Sequence, residues 1–578
     1  MKHPMPVAIA VCVATLAGFT LTFVAGLVLG SANRDSERPL FRVIDRYADK
    51  LRHRLSSHTI VTAAQEGEIK ISTIFVPIVG KPVQLPPATR GGTGGGLTEA
   101  HGHIVAVTHD GGVFFVTREG SVITPRVELP DNHFEAYRQA NGLPEFAGVR
   151  FDLYHFRTID IAYLEHRGQK AFALSQTFYE PEQTCFRNRV SIAYFDGDLA
   201  EPASITIPQS AWKVLYQSEP CLPLRRKHDG IAGNLAGGRI LVDSKNERLF
   251  YTNGEYGWGG DTIAAPSGVP LPQDPKSHYG KIMAIDLATG AFAIHAHGLR
   301  NMQGITFDPQ GRLWTVEHGP RGGDELNLIE EGSNYGWPHV SFGTAYNGLP
   351  LSYARSVGRH GGFVKPKLSW LPSIAPSCLT TIRGFHDAWD GDLLVTTLKT
   401  HKLVRIRVDG NRVVFAEDIK IGQGRRIRYA LQHSDGRLVI MTDDREVIFF
   451  SPVKGGIGAE FVQRFLASDL KADEAVKEAA ASALKKCTEC HSLEKGDSTN
   501  SPSLAEIFGR KVASTAFEGY TAALKNASAD RWTRKRLDAF LSDPQAVYPG
   551  AAMPNPQLSD PSLRRAVIDV LEALTKTD

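Results

Sequence analysis

The segment Ile305-Thr-Phe-Asp-Pro-Gln-Gly-Arg-Leu-Trp314 contains an apolar strand, a turn that ends in Arg-Leu, and the start of a second apolar strand. The same unit recurs at 238–251 and at 431–440. Weak repeats of β units over roughly 350 residues are typical of a β-propeller rather than a sandwich. We therefore expect residues 96–455 to form a mainly β propeller, with a site in the loops at one end of its channel.

Two further strand pairs favour the same fold class. The segments 104–108 and 113–117 flank the turn Asp110-Gly-Gly, an arrangement typical of a hairpin. A second apolar pair lies at 393–397 and 403–407. The pattern predicts another blade at the second pair, but it does not by itself fix the number of blades.

The pentapeptide Cys487-Thr-Glu-Cys490-His491 is a C-x-x-C-H motif. Two thiols at this spacing can form thioethers with one haem, and the adjacent histidine can then become an axial ligand of the iron. A C-x-x-C pair alone is also compatible with a redox dithiol or half of a zinc site. With His491 included, the motif predicts a covalent haem c and a role in electron transfer.

The residues downstream of the pentapeptide predict the rest of a haem domain. Met553 lies between Gly550 and Pro554 in a constrained loop, and methionine is the usual sixth ligand of high-potential cytochromes c. Helical patterns at 475–486 and 561–574 indicate an all-α domain over 471–578.

This region resembles a class I cytochrome c of the mitochondrial-like type, through Pro502, Tyr520 and Trp532 among other residues. The resemblance implies that Pro502 supports the haem histidine. It also implies that Tyr520 and Trp532 lie near the haem propionates.

The first 32 residues are candidates for a membrane segment. Residues 6–31 carry no charge and are mostly apolar, and roughly 20 apolar residues can cross a bilayer as a helix. We expect an uncleaved transmembrane anchor, with a signal peptide cut after Ala32 as the alternative. A basic juxtamembrane helix and lead-in are expected at 33–95, and a linker at 456–470.

The length of the chain, its net charge and the haem site limit the number of domains, the partners and the compartment that we expect. A chain of 578 residues suggests several domains. A net charge of +3 without a basic block argues against nucleic acid as a partner. Because c-type haem is attached outside the cytoplasm, we expect a single-pass inner-membrane protein with its bulk in the periplasm, or a periplasmic protein if the segment is cleaved.

Two cysteines lie in loop-like sequence, Cys185 and Cys221. An oxidising compartment permits a disulfide between them. Two buried free thiols are the alternative.

The stretch from Arg300-Asn301 to Gly319-Pro320 and Asp324-Glu325 is dense in glycine and paired carboxylates. Hard cations such as calcium bind oxygen ligands of this kind. A solvated turn with capping acids is equally compatible with the residues alone.

These residues resemble the soluble quinoprotein glucose dehydrogenase and aldose sugar dehydrogenase family over residues 235–450. The resemblance implies a six-bladed propeller that binds pyrroloquinoline quinone (PQQ) and calcium. Arg300 and Asn301 would then contact the quinone. The carbonyls of Gly319 and Pro320 would bind the active-site calcium, and Glu325 would bind a structural calcium.

The resemblance also covers three basic residues. Lys399 matches the quinone-binding lysine of the family, and Arg426 and Arg428 match a basic pair near the cofactor's carboxylates. A polyanionic cofactor needs guanidinium and ammonium partners, so this set is physically reasonable.

One position departs from the family. The catalytic base of the family is a histidine four positions before an arginine, and here Leu235 stands four positions before Arg239. Leucine cannot accept a proton from a hydroxyl group. Glu255 matches the acid of the next loop, and His228 is a candidate substitute base, which makes the predicted catalytic set Lys399, Glu255 and His228.

The sequence therefore predicts a quinohaemoprotein dehydrogenase. It would oxidise a sugar or related alcohol or aldehyde through PQQ and calcium, and pass electrons to its own haem and a respiratory acceptor. The alternative, which Leu235 motivates, is a non-catalytic binding propeller attached to an electron-carrier cytochrome c. A peroxidase-type haem enzyme needs an open distal site, and Met553 argues against one.

Overall fold

The computed structural model describes residues 67–71, 73, 76–140, 156–224, 234–259, 268–355, 358–422, 424–453, 457–488, 490–493, 501–515, 517–556 and 558–576. The predicted membrane segment, the basic juxtamembrane helix and His228 lie outside these residues. Within them, no helix is long and apolar enough to cross a membrane.

Six antiparallel sheets of four or five strands confirm the predicted six-bladed propeller. Two strands precede the first blade: β1 (Ile69–Ile71) and β2 (Ile78–Gln84). Blade 1 contains β3 (Gly95–Ala100), β4 (His103–Thr108), β5 (Val113–Val116) and β6 (Val122–Ile123). Blade 2 contains β8 (Thr158–His166), β9 (Gln169–Glu180), β10 (Cys185–Phe195), β12 (Lys213–Gln217) and the short β13 (Leu222–Pro223).

The remaining blades follow in chain order. Blade 3 contains β14 (Gly237–Asp243), β15 (Arg248–Asn253), β16 (Lys281–Asp286) and β17 (Phe292–His297). Blade 4 contains β18 (Met302–Phe307), β19 (Leu313–Glu317), β20 (Asp324–Ile329) and β21 (Leu368–Trp370). Blade 5 contains β22 (Pro376–Thr381), β23 (Leu393–Thr397), β24 (Lys402–Asp409) and β25 (Arg412–Lys420). Blade 6 contains β26 (Ile427–Gln432), β27 (Leu438–Thr442) and β28 (Glu446–Pro452), followed by β2 and β1.

Smaller elements lie outside the blades. A two-stranded parallel pair joins β7 (Arg126–Val127) to β11 (Thr206–Ile207), and helix α1 spans Phe134–Ala140. Single 3-10 turns occupy Pro202–Ser204, Gln209–Ala211 and Ser244–Asn246.

The ring is closed by strands from both ends of the propeller. Strand β2 pairs along its length with β28, so that Ile78 lies opposite Pro452. The expected lead-in at 33–95 therefore contributes two strands to blade 6. These strands lack the Arg-Leu turn of the repeat, so the sequence pattern did not reveal them.

A single side chain ties the six blades together at the centre. Arg239, on the first strand of blade 3, is buried. Its guanidinium donates hydrogen bonds to one carbonyl oxygen on the first strand of every other blade: Gly95 (3.1 Å), Ile159 (3.3 Å), Gln303 (2.9 Å), Ser377 (3.0 Å) and Arg428 (3.5 Å). The carboxylate of Asp160 lies 3.7 Å away and balances its charge. The centre of the ring is therefore a polar plug in which one cation satisfies several backbone acceptors.

The C-terminal domain is helical, as predicted. It contains α2 (Ile457–Arg464), a π-helical turn (Phe465–Asp469), α3 (Glu474–Thr488), α4 (Ala522–Asn526), α5 (Arg534–Ser542), α6 (Pro544–Val547) and α7 (Pro561–Thr575). Its core includes Leu484, Trp532 and Leu571. Residues 457–469, expected as a linker, are helical, and Val462 and Leu466 pack into this core.

The cysteine pair of the propeller is bridged. Strand β13 pairs with the start of β10, Leu222 opposite Phe186, which brings Cys221 beside Cys185. Their Sγ atoms are 1.90 Å apart, so the expected disulfide is present.

Candidate active site

The direction of the strands gathers loops of all blades at one end of the channel. The first strand of each blade begins there, and the turn between the second and third strands also lies there. We call this end the site face. It collects the residues that precede β14, β18 and β26, namely Leu235, Arg300 and Arg426, and it collects turns that contain Glu255 and Lys399.

Arg300 joins blades 3 and 4 at the site face. Its Nε lies 3.7 Å from Oε1 of Glu255, and both side chains are buried. Its Nη1 donates to the carbonyl oxygens of His318 (3.0 Å) and Gly319 (3.2 Å). The guanidinium also lies over the ring of Trp337, 5.2 Å from its centroid. These contacts fix the orientation of Arg300 before any ligand binds.

Asn301, the second predicted quinone contact, is held by the protein. Its Oδ1 accepts hydrogen bonds from the backbone N–H of Gly237 (3.1 Å) and from Nε2 of Gln303 (2.8 Å). The amide is thus positioned between the first strands of blades 3 and 4.

The predicted basic residues of blades 5 and 6 lie close together. Nη1 of Arg426 donates to the carbonyl of Leu398 at 3.3 Å, next to the exposed Lys399. Nε of Arg426 and Nε of Arg428 both donate to the carboxylate of Asp443, at 2.9 and 2.7 Å. Burial opposes the charge on Asp443, but the two guanidiniums outweigh burial and keep the pKa of this carboxyl below its usual value.

Arg157 belongs to this basic group, and sequence reasoning missed it. Its Nη1 donates to the carbonyl of Thr93 at 2.8 Å, while Nη2 of Arg428 donates to the Thr93 hydroxyl at 3.2 Å. Burial and the charges of Arg428 and Arg239 lower the pKa of Arg157 to about 9. Two cationic groups therefore meet at one buried threonine.

The position of Arg157 follows a rule that the sequence contains. Arg157 stands two residues before Ile159, whose carbonyl binds Arg239. Asn301 has the same relation to Gln303, and Arg426 has it to Arg428. The residue two positions before each carbonyl that binds Arg239 thus lies at the site face. The sequence alone does not show this relation, because it does not show which carbonyls bind Arg239.

Leu235 occupies the site face without a proton-accepting side chain. It is half-buried, and its backbone is left-handed, with φ of 60°. Its carbonyl accepts a hydrogen bond from the backbone N–H of Tyr256 at 3.1 Å, beside Glu255. The structure therefore places Leu235 next to the predicted acid.

Glu317 holds the backbone of the Arg300-Asn301 segment. The sequence pattern did not single it out. Its Oε2 accepts hydrogen bonds from the backbone N–H of Arg300 (2.5 Å) and of Asn301 (3.3 Å). Nδ2 of Asn327 bridges it to Glu325, at 3.1 Å from Glu317 and 3.2 Å from Glu325. Burial raises the pKa of Glu317 to about 7, and burial with the charge of Glu317 raises that of Glu325 well above its usual value.

The predicted calcium ligands are engaged by protein groups. The carbonyl of Gly319, which precedes Pro320, accepts a hydrogen bond from Arg300, and Glu325 is bound to Asn327. The carboxylate of Asp324 accepts hydrogen bonds from three backbone N–H groups and the Ser373 hydroxyl. No cluster of three or more His, Cys, Asp or Glu side chains fit to hold a metal occurs in the described part of the chain. The predicted ligands Gly319 and Pro320 would bind calcium through backbone carbonyls, which such a cluster does not include. Their role and that of Glu325 stay predictions.

The haem motif lies at the end of helix α3. The backbone N–H of His491 donates to the carbonyl of Cys487 at 2.9 Å, and Nδ1 of His491 lies 2.7 Å from the carbonyl oxygen of Pro502. Because a carbonyl only accepts, Nδ1 carries the proton and Nε2 keeps the lone pair that an iron ligand needs. Burial lowers the pKa of His491, which keeps the ring neutral. Cys487 and Cys490 are accessible, so the set fits a covalent haem.

Two other predicted haem-domain residues, Met553 and Trp532, lie at the core of the C-terminal domain. Met553 is partly buried against the core that contains Trp532. The hydroxyl of Tyr520 lies 2.8 Å from that of Thr515. The ligand role of Met553 stays a prediction.

Comparison with known proteins separates the chain into two matches. Residues 210–450 match the family model "Glucose / Sorbosone dehydrogenase". The chain is 32% identical over 288 residues to an uncharacterized protein of Synechocystis sp., which covers 46% of this chain and 63% of that protein. It is 31% identical over 241 residues to an aldose sugar dehydrogenase of Escherichia coli. This match covers 38% of this chain and 61% of that protein. The chain thus spans about three fifths of the length of these relatives.

A solved structure agrees on the fold of the propeller. The soluble aldose sugar dehydrogenase of Escherichia coli in the apo form is 22% identical, with a TM-score of 0.51. The match covers 64% of this chain and 99% of that one. The propeller of this chain therefore has the same fold as that structure.

The C-terminal match is to small haem proteins. A cytochrome c of Guizotia abyssinica is 37% identical over 91 residues, which covers 16% of this chain and 81% of that protein. The C-terminal part of the chain belongs to the cytochrome c family. A cytochrome c2 of Magnetospirillum molischianum is 35% identical over 89 residues and is covered to 90%. Below, residues 457–576 are called the cytochrome c domain.

The structure brings most predicted propeller residues to the site face. Glu255, Arg300 and Gly319 form one contact group, and Lys399 with Arg426 and Arg428 forms another. A chain of hydrogen bonds links the two groups. The backbone N–H groups of Gly319 and Ile374 both donate to the carboxylate of Asp324. The backbone N–H of Lys399 donates to the Ile374 carbonyl at 3.2 Å.

Proposed function

We propose that this chain is a quinohaemoprotein dehydrogenase that oxidises the CH–OH group of a sugar or related alcohol or aldehyde at the site face. Electrons would pass through PQQ to the haem that the cytochrome c domain carries. The observation that carries this proposal is the convergence of Arg157, Arg300, Lys399, Arg426 and Arg428 at the site face of a glucose/sorbosone dehydrogenase-type propeller.

The charges of the site favour an anionic ligand. Asp443 is shared by Arg426 and Arg428, and Glu255 is paired with Arg300. Arg157 and Lys399 add further positive charge at the same face. Buried guanidiniums are stabilised by carboxylates that bind them with directed hydrogen bonds. A cofactor with several carboxylates meets this requirement.

The residues of the chain then have distinct tasks. PQQ, when bound, supplies a quinone that accepts two electrons from the substrate carbon. Arg157, Arg426 and Arg428 would hold its carboxylates, while Arg300 and Lys399 would fix its orientation. Glu255 holds Arg300 through the buried ion pair. Because Leu235 cannot accept the proton of the substrate hydroxyl, another group must accept it. His228 remains the candidate that the sequence offers.

The number of electrons that the substrate releases differs from the number that one haem accepts. Oxidation of one CH–OH group to C=O releases two electrons and two protons. A haem iron takes one electron as it passes from Fe3+ to Fe2+, so two haem irons are reduced per substrate molecule and the protons pass to water. Reoxidation by a respiratory carrier would complete the turnover.

We place the protein at the inner membrane with its bulk in the periplasm, or in the periplasm if the first 32 residues are removed. The Cys185–Cys221 disulfide supports an oxidising compartment.

The test uses the full chain with haem attached. PQQ binding is measured by titration calorimetry, with and without calcium. The loaded protein is then mixed with a panel of aldoses, alditols and alcohols while the reduced haem bands are recorded. We expect PQQ binding and haem reduction by at least one substrate. Failure of both overturns the proposal.

Leu235 favours one other function, a non-catalytic binding propeller. In that case a panel sugar binds, yet neither the haem nor an artificial dye is reduced in the presence of PQQ. A Leu235→His variant distinguishes the two cases, because it restores the imidazole that the sequence lacks and should raise the rate of a working dehydrogenase.

A further inference from the structure

Lys281 is a buried cation at the site face of blade 3. It begins strand β16 and is 1% exposed. Its Nζ donates hydrogen bonds to the carbonyl oxygens of Leu271 (2.8 Å), Pro272 (3.3 Å) and Tyr279 (3.2 Å). Burial lowers the pKa of Lys281 to about 7, against the opposing effect of the charge on Asp274. A charge buried among neutral carbonyls costs stability, which indicates a role in the segment that it holds.

The Pro272 carbonyl that Lys281 holds is shared with the segment before Arg300. The backbone N–H of Gly298 also donates to this oxygen, at 3.0 Å. Gly298 stands two residues before Arg300 in the chain. The ammonium therefore fixes an acceptor that anchors the start of the Arg300 loop.

Gln273, the next residue after this proline, extends the support to Trp337. Its Nε2 donates to the Trp337 carbonyl at 2.7 Å, and the backbone N–H of Trp337 donates to the Gly298 carbonyl at 2.8 Å. The Gln273 amide is itself held by Asn334 through two hydrogen bonds of 2.8 and 3.1 Å. The Arg300 guanidinium lies over the Trp337 indole, 5.2 Å from its centroid, so the position of the indole affects the orientation of the guanidinium.

Leu271 links Lys281 to Glu255 in a similar way. The backbone N–H of Leu271 donates to the Trp258 carbonyl at 3.4 Å, and that of Trp258 donates to the Glu255 carbonyl at 2.8 Å. The acid and the indole that contact Arg300 therefore both depend on the segment that Lys281 holds.

We propose that Lys281 is a positioning residue of the dehydrogenase site, whose ammonium holds residues 271–273 and through them the orientation of Arg300 that fixes PQQ. This inference rests on the proposed function. Lys281 acts through Gln273 and Trp337 rather than by contact with the reacting groups. A lysine that only stabilised strand β16 would affect the stability of the propeller without this specific effect on the site.

The first test needs neither cofactor nor substrate. Amide hydrogen exchange is compared between the full-length haem-loaded wild type and Lys281→Met. We expect the amides of Gly298 and Trp337 to exchange about tenfold faster in the variant, because their acceptors are no longer fixed, while blades 1 and 5 stay unchanged. Unchanged exchange at these two amides, or faster exchange in every blade, overturns the proposal.

Lys402→Met is the matched control. Lys402 begins the third strand of blade 5 as Lys281 begins that of blade 3, but its ammonium pairs with the exposed Asp418. This control should leave exchange at Gly298 and Trp337 as in the wild type. An equal effect of the two lysine variants contradicts the proposal.

The second test is a double-mutant cycle in PQQ-loaded protein, with a small dye as the electron acceptor. Gln273→Met removes the hydrogen bond to the Trp337 carbonyl and leaves the three acceptors of Lys281 in place. We expect each single variant to lower kcat about tenfold while KM for the substrate stays within about twofold. The double variant should match the slower single variant, because both substitutions act through Trp337. Additive losses, about a hundredfold in the double variant, overturn the proposal.

The two tests separate this inference from the proposed function. If the wild type reduces neither dye nor haem with any substrate of the panel, the proposed function fails, and hydrogen exchange at Gly298 and Trp337 alone decides whether Lys281 holds this part of the site. If Lys281→Met does not fold, Gln273→Met still decides, because a wild-type kcat in that variant overturns the proposal.

Discussion

The guanidinium of Arg300 lies 3.7 Å from the carboxylate of Glu255, and the two side chains join blades 3 and 4 at the site face. Both are almost fully buried, at 2% exposure. Arg300 also holds the carbonyls of His318 and Gly319, so the ion pair and the loop before β20 depend on each other.

We expect Glu255→Gln to destabilise the propeller and to weaken substrate oxidation. Removal of one partner of a buried ion pair leaves an uncompensated charge, which costs about 3 kcal/mol or more in the free energy of unfolding. Urea unfolding followed by tryptophan fluorescence measures this change. Glu247→Gln is the control: Glu247 is half exposed and pairs with His166 and Arg167 at the surface, so its loss should cost less than about 1 kcal/mol. Equal stability of the two variants would contradict a structural ion pair.

Replacement of the central Arg239 should unfold the propeller first and leave the cytochrome c domain folded. In Arg239→Met, five carbonyls of five blades lose their donor, and each buried acceptor left without a partner costs about 1 kcal/mol or more. Calorimetry should show the propeller transition at a lower temperature, while the haem absorption band melts as in the wild type. Arg412→Met, on the exposed outer strand of blade 5, should leave both transitions in place.

Arg157→Gln should weaken PQQ binding about tenfold, which corresponds to about 1.4 kcal/mol. The glutamine keeps a donor for the Thr93 carbonyl but removes a buried positive charge near Arg428. Titration calorimetry measures the affinity, and Arg126→Gln at an exposed strand is the matched control. Unchanged affinity in Arg157→Gln would exclude this residue from the anion site.

The stability of the propeller should fall as the pH rises from about 4.5 to about 7. Glu317 has an ordinary pKa of 4.5 and a folded-state pKa of about 7, so the folded state binds more protons than the unfolded state within this window. Below pH 4.5 Glu317 is protonated in both states, and well above pH 7 the loss that Glu317 contributes is complete.

Glu317→Gln should flatten this dependence, because the amide still accepts the backbone hydrogen bonds of Arg300 and Asn301 but does not titrate. Urea midpoints at pH 5 and pH 7.5 measure the difference between variant and wild type. Parallel slopes for the two proteins would show that another group dominates the window.

Met553→Ala tests the sixth haem ligand. Loss of a methionine ligand should weaken the low-spin spectrum and lower the reduction potential of the haem. Visible spectroscopy and a redox titration measure both quantities. Met441→Leu, in the buried core of blade 6, controls for the loss of a methionine elsewhere. A low-spin spectrum that survives in Met553→Ala would assign the ligand to another residue.

Much of the molecule can be predicted from local patterns. The Arg-Leu repeat indicated a propeller, and the Cys487–His491 motif indicated a haem, because both depend on spacing within a few residues. Strands β1 and β2 were not predicted as propeller strands, because β1 pairs only with β2 and the partner of β2 in the blade, β28, lies more than 300 residues away in the chain. The pattern could not show a pairing that arises only when the ring closes.

The candidate site divides in the same way. Residues in glycine-rich motifs, such as Arg300 and Gly319, could be singled out from the sequence. Arg157 and Glu317 lie in ordinary strand sequence, and their importance follows from contacts with Thr93 and with the Arg300 backbone.

The sequence by itself determined the haem attachment site, the propeller class and the absence of an imidazole at position 235, because these depend on residue identity and short-range spacing. The tertiary structure decided which charges meet. In the folded chain, Arg239 donates hydrogen bonds to five carbonyls and Arg300 donates to the Gly319 carbonyl. The cytochrome c domain follows strand β28 at the end away from the site face. Those relations arise from strand direction and ring closure, which bring together residues that are distant in the chain.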